Sequence, residues 1–138
     1  MPGHEGRAHQ GGSPIVAGLP LHDMGILVTG GGSGIGLGIS RRLLEEGAAV
    51  TIVGRSAQRL EEARQALVAA GADPAAVRAH AADMSRENPC RRAVEAASEL
   101  RGGLHAAVAC AGEPRGQMAP VTQPDLDSWH SVFENNVV

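Results

Sequence analysis

The segment VTGGGSGIG, Val28 to Gly36, constrains this chain more than any other. It holds five glycines, a density that would weaken the interior of a helix or a strand. Ile26 to Thr29 before it is a short apolar run, and after it Ile35, Ile39, Leu43 and Leu44 recur at helical spacing as far as Glu46. The order is therefore strand, loop, helix, with Ile35 at the head of the expected buried helix face. Bare backbone at such a junction lets N–H groups and the positive helix end meet a phosphate at contact distance. A pyrophosphate is the ligand expected against residues 30–36, and a glycine-rich turn without a ligand is the alternative. The spacing Gly30, three residues, Gly34, one residue, Gly36 fits no register of G-x-G-x-x-G. A phosphate loop of the Walker A type needs a lysine, and all 12 basic residues are arginine.

The rest of the chain repeats the alternation. Gly47 stops the first helix, and AVTIV, Ala49 to Val53, is a β-branched run suited to a buried strand. Ser56 is placed to cap a second helix whose buried face is Leu60, Ala63, Leu67 and Ala70 and whose stop is Gly71. A third strand is expected over Val77 to Ala82, a third helix over Ser85 to Arg101, a fourth strand over Leu104 to Ala109, and the start of a helix from about Asp125 to Val138. This pattern predicts an α/β fold, a doubly wound parallel sheet of Rossmann type with strand order 3-2-1-4. In such a sheet, ligands bind outside the carboxyl ends of the strands where the order reverses, beside strand 1, which is where the glycine loop lies.

Composition narrows the function classes. With one Trp, one Phe and no Tyr, the core has to be built from Ala, Val, Leu and Ile, which suits helices covering a parallel sheet. A net charge of -3 gives no basic field for nucleic acid. No apolar stretch is long enough to span a bilayer. Cys90 and Cys110 make neither a disulfide framework nor a metal-ligand spacing and read as reduced thiols in a cytoplasmic protein, with no metal expected. Residues 1–22, rich in Gly, Pro and His and without periodicity, read as a disordered extension ahead of a nucleotide-binding domain over 23–138.

TGGGSGIG, Thr29 to Gly36, resembles the T-G-x-x-x-G-x-G cofactor loop of the short-chain dehydrogenase/reductase family. VGR at Val53 to Arg55, AADMS at Ala81 to Ser85, ACAG at Ala109 to Gly112 and WHSVFENN at Trp129 to Asn136 fall at the family's later stations in the right order. The resemblance implies a cofactor site formed by Thr29, Gly30, Gly32, Ser33, Gly34, Ile35, Gly36, Arg55, Ser56, Asp83, Met84, Ala111 and Gly112, with Asp83 beside the adenine. It implies that Asn136 is the family's catalytic asparagine, which holds a water in a proton relay; Asn135 leaves room for a shift of one position. It also implies a carbonyl or alcohol substrate and a homo-oligomeric parent protein.

Cofactor choice turns on the end of strand 2. An Asp there would accept from both ribose hydroxyls and favour NAD, whereas the planar fork of an Arg pairs with a 2′-phosphate. Gly54 and Arg55 stand at that turn, so NADP is expected over NAD. Arg55 as a solvated residue before a helix, and Asp83 as a helix cap, are the alternatives.

Two departures limit the resemblance. The family's N-N-A-G is Ala109, Cys110, Ala111, Gly112 here, which removes two amides that tie strand 4 to its neighbours. Cys110 reads as a packing residue. The family's acid/base Tyr and its partner Lys have no counterpart, because the chain contains neither residue type. Strand 4 is expected to be left as a bare apolar edge. The sequence therefore reads as the cofactor-binding half of a longer reductase. The alternative is a non-catalytic dinucleotide-binding module complete at residue 138 that finishes its sheet against a partner chain.

Overall fold

The computed structural model describes residues 20–112 and 126–137. Four strands, β1 (Gly25–Thr29), β2 (Ala49–Gly54), β3 (Val77–Ala81) and β4 (Leu104–Ala109), alternate with helices α1 (Gly34–Glu45), α2 (Ala57–Ala69) and α3 (Glu87–Ser98). A 3-10 turn at Pro74–Ala76 leads into β3, and α4 (Leu126–Asn136) is the last element among the described residues. The sheet is ordered β3-β2-β1-β4 and every pairing is parallel, as the alternation predicts. Thr29 lies opposite Val53 on one side and Ala109 on the other, so the carboxyl ends of the central strands finish together.

All five residues of β1 and the first five of β2 are buried, because helices cover both faces of the sheet. Ile26, Val28, Val50 and Ile52 point to one face and pack with Leu60 and Ala63 of α2 and with Leu37, Leu43 and Leu44 of α1. Leu27 and Val53 point to the other and pack with Ala93 and Ala97 of α3. Among the described residues β4 is paired on one side only, and most of it is exposed, as expected for an open edge. Its register with β1 slips between Gly25 and Ile26, leaving His105 as an extra residue. The His105 ring stands at the slip. Its Nδ1 accepts the Gly25 N–H at 3.1 Å, taking the place of a strand carbonyl.

Several details of burial and boundary differ from the sequence expectation. Ile35 is 77% exposed, and the buried positions of α1 are Gly36 and Ser40. Periodicity gives the width of a helix face but not its phase, and here the phase is set by contact at Gly36, where a Cβ would collide with the Gly30 carbonyl. Ala70 caps the end of α2 and is exposed, while Leu60, Ala63 and Leu67 are buried as expected. Helix α3 starts at Glu87 and not at Ser85, because Ser85 is held in a turn by the Asp83 carboxylate. The packed chain reaches back to Leu21. Its N–H donates to the Glu46 carbonyl at 3.0 Å and its side chain packs against the α1 and α2 core, so Leu21 is packed on the fold rather than part of a free extension.

Candidate functional site

A cleft of about 650 Å³ opens across the carboxyl ends of the strands. Its floor is the loop between β1 and α1, represented by Gly30, Gly32 and Ser33. Gly30 turns the chain at φ +67°, and a Cβ there would sit 2.9 Å from the Cys110 carbonyl oxygen. Gly34 has φ +52° with open space around it, so its backbone conformation and not crowding requires glycine. Gly31 and Gly36 answer to packing. A Cβ on Gly31 would lie 2.8 Å from Ile52, and Gly36 lets α1 approach the loop backbone. Ser33, at the N-cap of α1, makes no capping hydrogen bond, and the first turn carries no acidic side chain. Among the described residues the α1 N-terminus thus has neither a capping hydrogen bond from Ser33 nor an acidic side chain in its first turn, a cradle that fits a phosphate.

Thr29 has a different job from its neighbours. It is buried and stands outside the cleft wall, and its Oγ1 accepts the N–H groups of Cys110 and Ala111, both at 3.0 Å. This pair of bonds ties the end of β4 to the end of β1. Gly34, Ile35 and Gly36 also stand outside the cleft wall.

One side wall comes from the turn after β2. Gly54, Arg55, Ser56, Arg59 and Leu60 line it. Ser56 caps α2 as expected, its Oγ accepting the Arg59 N–H at 3.3 Å, and this bond fixes Arg59 in the first helical turn beside Arg55. Ala82, Asp83, Met84 and Ser85 form the next stretch of wall after β3. Asp83 Oδ1 accepts from the Ser85 hydroxyl at 2.7 Å and the Ser85 N–H at 3.1 Å. These bonds, with Arg86 and Arg55 nearby, hold its carboxyl below the usual range. Asp83 is not the cap of α3, whose N-cap position is Arg86. It orders the turn before α3 and presents a carboxylate to the cleft.

The far end is closed by Ala111, Gly112, Asn136 and Val137. The Asn136 Nδ2 donates to the Val132 carbonyl one turn earlier, at 2.7 Å. A Cβ on Gly112 would lie 2.8 Å from Asn136 Oδ1, so the last residue of α4 is seated on the backbone after β4. Ten of the expected site residues, Gly30, Gly32, Ser33, Arg55, Ser56, Asp83, Met84, Ala111, Gly112 and Asn136, are brought together in one cleft. Sequence reasoning missed Arg59. The cap at Ser56 was the available signal, because a capped helix starting there puts the residue three positions later in the first turn. Both cysteines are free thiols, and no cluster of metal-ligating side chains occurs among the described residues.

A parallel sheet with a glycine cradle at the point where its order reverses, arginines after the second strand and small residues after the fourth defines a dinucleotide-binding fold. The comparisons with known proteins sharpen this. The family model for short chain dehydrogenase matches residues 25–138, and the chain belongs to that family. It is 44% identical over 119 residues to 2,3-dihydroxy-2,3-dihydro-p-cumate dehydrogenase of Pseudomonas putida, covering 86% of this chain and 44% of that protein. It is 35% identical over 111 residues to zerumbone synthase of Zingiber zerumbet, covering 80% and 40%. Among solved structures, a short-chain type dehydrogenase/reductase from Mycobacterium ulcerans superposes with TM-score 0.74 at 42% identity, covering 85% of this chain and 42% of that one. The NADP active-site complex of Pseudomonas aeruginosa RhlG superposes with TM-score 0.70 at 35% identity, covering 86% and 44%. The chain spans less than half the length of these relatives. No helix among the described residues is long and apolar enough to cross a membrane.

Proposed function

We propose that this chain is the cofactor-binding half of an NADP-dependent oxidoreductase that moves a hydride between nicotinamide and a carbonyl or alcohol group of a small molecule. The observation that carries the reading is Arg55 in the cleft wall directly after β2, beside Gly54, with no acid at that turn. A guanidinium there favours a 2′-phosphate and leaves the two free ribose hydroxyls of NAD without their usual acceptor.

Gly30, Gly32, Ser33 and the α1 N-terminus hold the pyrophosphate in this reading, and Arg55 and Ser56 hold the 2′-phosphate. Asp83 and Met84 border the adenine, and Ala111 and Gly112 admit a ribose because they carry little or no side chain. When bound, the cofactor supplies or accepts the hydride. Asn136 stands at the end of the cleft away from Arg55, where it holds a water for proton transfer. The Tyr and Lys that move the proton in the family have no counterpart in these 138 residues. The chain by itself is therefore expected to bind cofactor without turning it over. A cytoplasmic location and a homo-oligomeric whole protein belong to the same proposal.

Titration of the purified 138-residue chain with NADPH and NADH, followed by Trp129 fluorescence, tests it. The expected result is saturable binding that prefers NADPH and loses the preference in Arg55→Asp. Tighter binding of NADH by the unaltered chain would overturn the cofactor assignment.

A further inference from the structure

We propose that His105 is a pH-sensitive switch at the amino end of the sheet, whose Nδ1 holds the first residue of β1 while the ring is neutral and releases it when the ring takes up a proton. The site lies at the opposite end of the strands from the cleft, and it does not depend on which dinucleotide binds there.

The hydrogen-bond partners fix the state of the ring. A backbone N–H only donates, so the Gly25 N–H at 3.1 Å from His105 Nδ1 requires a lone pair on that nitrogen and leaves the ring proton on Nε2. The same Nδ1 lies 3.2 Å from the Gly103 carbonyl oxygen, which only accepts. One nitrogen cannot serve both partners at once. When a solvent proton adds to the Nδ1 lone pair, the ring carries N–H on both nitrogens. The Gly25 N–H then faces another donor, and the new Nδ1–H has the Gly103 carbonyl as its acceptor. Imidazole changes charge between about pH 5 and 8, so the exchange of partners falls in the physiological range. The ring is exposed, and its proton comes from and returns to solvent. It lies over bare backbone: a Cβ on Gly102 would stand 3.5 Å from His105 Cε1, and Asp23, Gly102 and Gly103 all have positive φ. The charged groups on the surrounding segments are paired with one another. Asp23 pairs with His22, Glu99 with Arg78, and Arg101 with Asp73. On α3, which packs on β4, Arg91 pairs with Glu87, and Arg92 and Glu95 are exposed; β1 carries no titratable side chain. At the other end of the two strands the tie is the Thr29 hydroxyl, which does not titrate in this range. Acid therefore loosens the edge strand at its amino end and leaves the cleft end tied.

The test is an NMR titration of the isotope-labelled chain from about pH 8 to about pH 5, following the His105 ring nitrogens, the backbone amides and their exchange, each rate corrected for the intrinsic effect of pH. The ring nitrogen shifts are expected to show Nδ1 without a proton at the alkaline end. On acidification the Gly25 amide is expected to shift with the same midpoint as the His105 ring and to lose about fivefold in protection, the equivalent of one neutral hydrogen bond. The Cys110 and Ala111 amides are expected to keep theirs. His105→Asn places an acceptor oxygen that does not titrate near the position of Nδ1, and it is expected to keep Gly25 protected at both ends of the titration. His105→Leu has no acceptor and is expected to leave Gly25 at the lower protection throughout. A proton on Nδ1 at the alkaline end, a Gly25 amide that ignores the His105 titration, or the same pH dependence in His105→Asn would each overturn the proposal.

Discussion

Replacing Thr29 by Val removes the Oγ1 that accepts the N–H groups of Cys110 and Ala111 at 3.0 Å each, with almost no change of side-chain shape. Each neutral hydrogen bond is worth about 1 kcal/mol net, and a buried donor left unpaired costs more than one that water can reach. Thr29 is buried, while Ala111 is exposed and Cys110 half-buried. Water can therefore reach the Ala111 N–H more readily than that of Cys110, which puts the expected loss at about 1.5 kcal/mol. With a urea slope of about 1.5 kcal/mol per molar, the unfolding midpoint falls by about 1 M. Amide exchange separates this cause from a packing defect. In Thr29→Val the Cys110 and Ala111 amides are expected to lose protection while the rest of β1 keeps its own. Thr29→Ser, which loses a buried methyl worth about 0.8 kcal/mol, keeps the protection because it keeps the oxygen. A valine variant with an unchanged midpoint and unchanged protection of those two amides would refute the latch.

Two alanine substitutions within α1 are expected to act in opposite directions. Gly36→Ala drives a Cβ into the Gly30 carbonyl and costs about 1–3 kcal/mol by thermal unfolding, whereas Gly38→Ala meets open space and gains up to about 1 kcal/mol from helix propensity. The Thr51 hydroxyl is buried with no hydrogen-bond partner among the described residues, so Thr51→Val is expected to raise stability by about 1 kcal/mol in the same assay. Glu61 has its pKa lowered from 4.5 to about 2, chiefly by hydrogen bonds from Arg64 and then Gln65. A depressed carboxylate favours the native state above its ordinary pKa, and the benefit disappears as pH falls toward about 2. Side-chain NMR titration is expected to find that midpoint and to see it return toward 4.5 in Arg64→Ala; a midpoint near 4.5 in the unaltered chain would refute the pairing.

Much of the cleft was legible because several of its residue types are forced by the backbone. A tight turn at Gly30 and a close approach at Gly36 admit only glycine, so they leave a mark in the sequence whatever else varies. Ser56 is legible for a similar reason, since a helix start needs an acceptor for its first N–H groups. Arg59 leaves no such mark. An arginine in a first helical turn is ordinary, and only the folded cleft shows that it lines the wall with Arg55. Asp83 shows a third case. The sequence offered a cap or an adenine contact as alternatives, and one carboxylate orders the turn with Oδ1 while also standing in the cleft wall.

The sequence alone determined the alternation of strands and helices, the parallel order 3-2-1-4 and the location of the glycine cradle, because period, caps and crossover handedness are local or topological rules. Tertiary structure decided the phase of α1, which turned Ile35 outward and Gly36 inward through one backbone contact. It also decided that Thr29 ties the ends of β1 and β4, that the His105 ring accepts the Gly25 N–H where the edge register slips, and that Arg59 lines the same wall as Arg55. Each of these joins residues far apart in the chain, or depends on the neighbours of a side chain. Local pattern carries no information about such pairings until the sheet has brought the partners together.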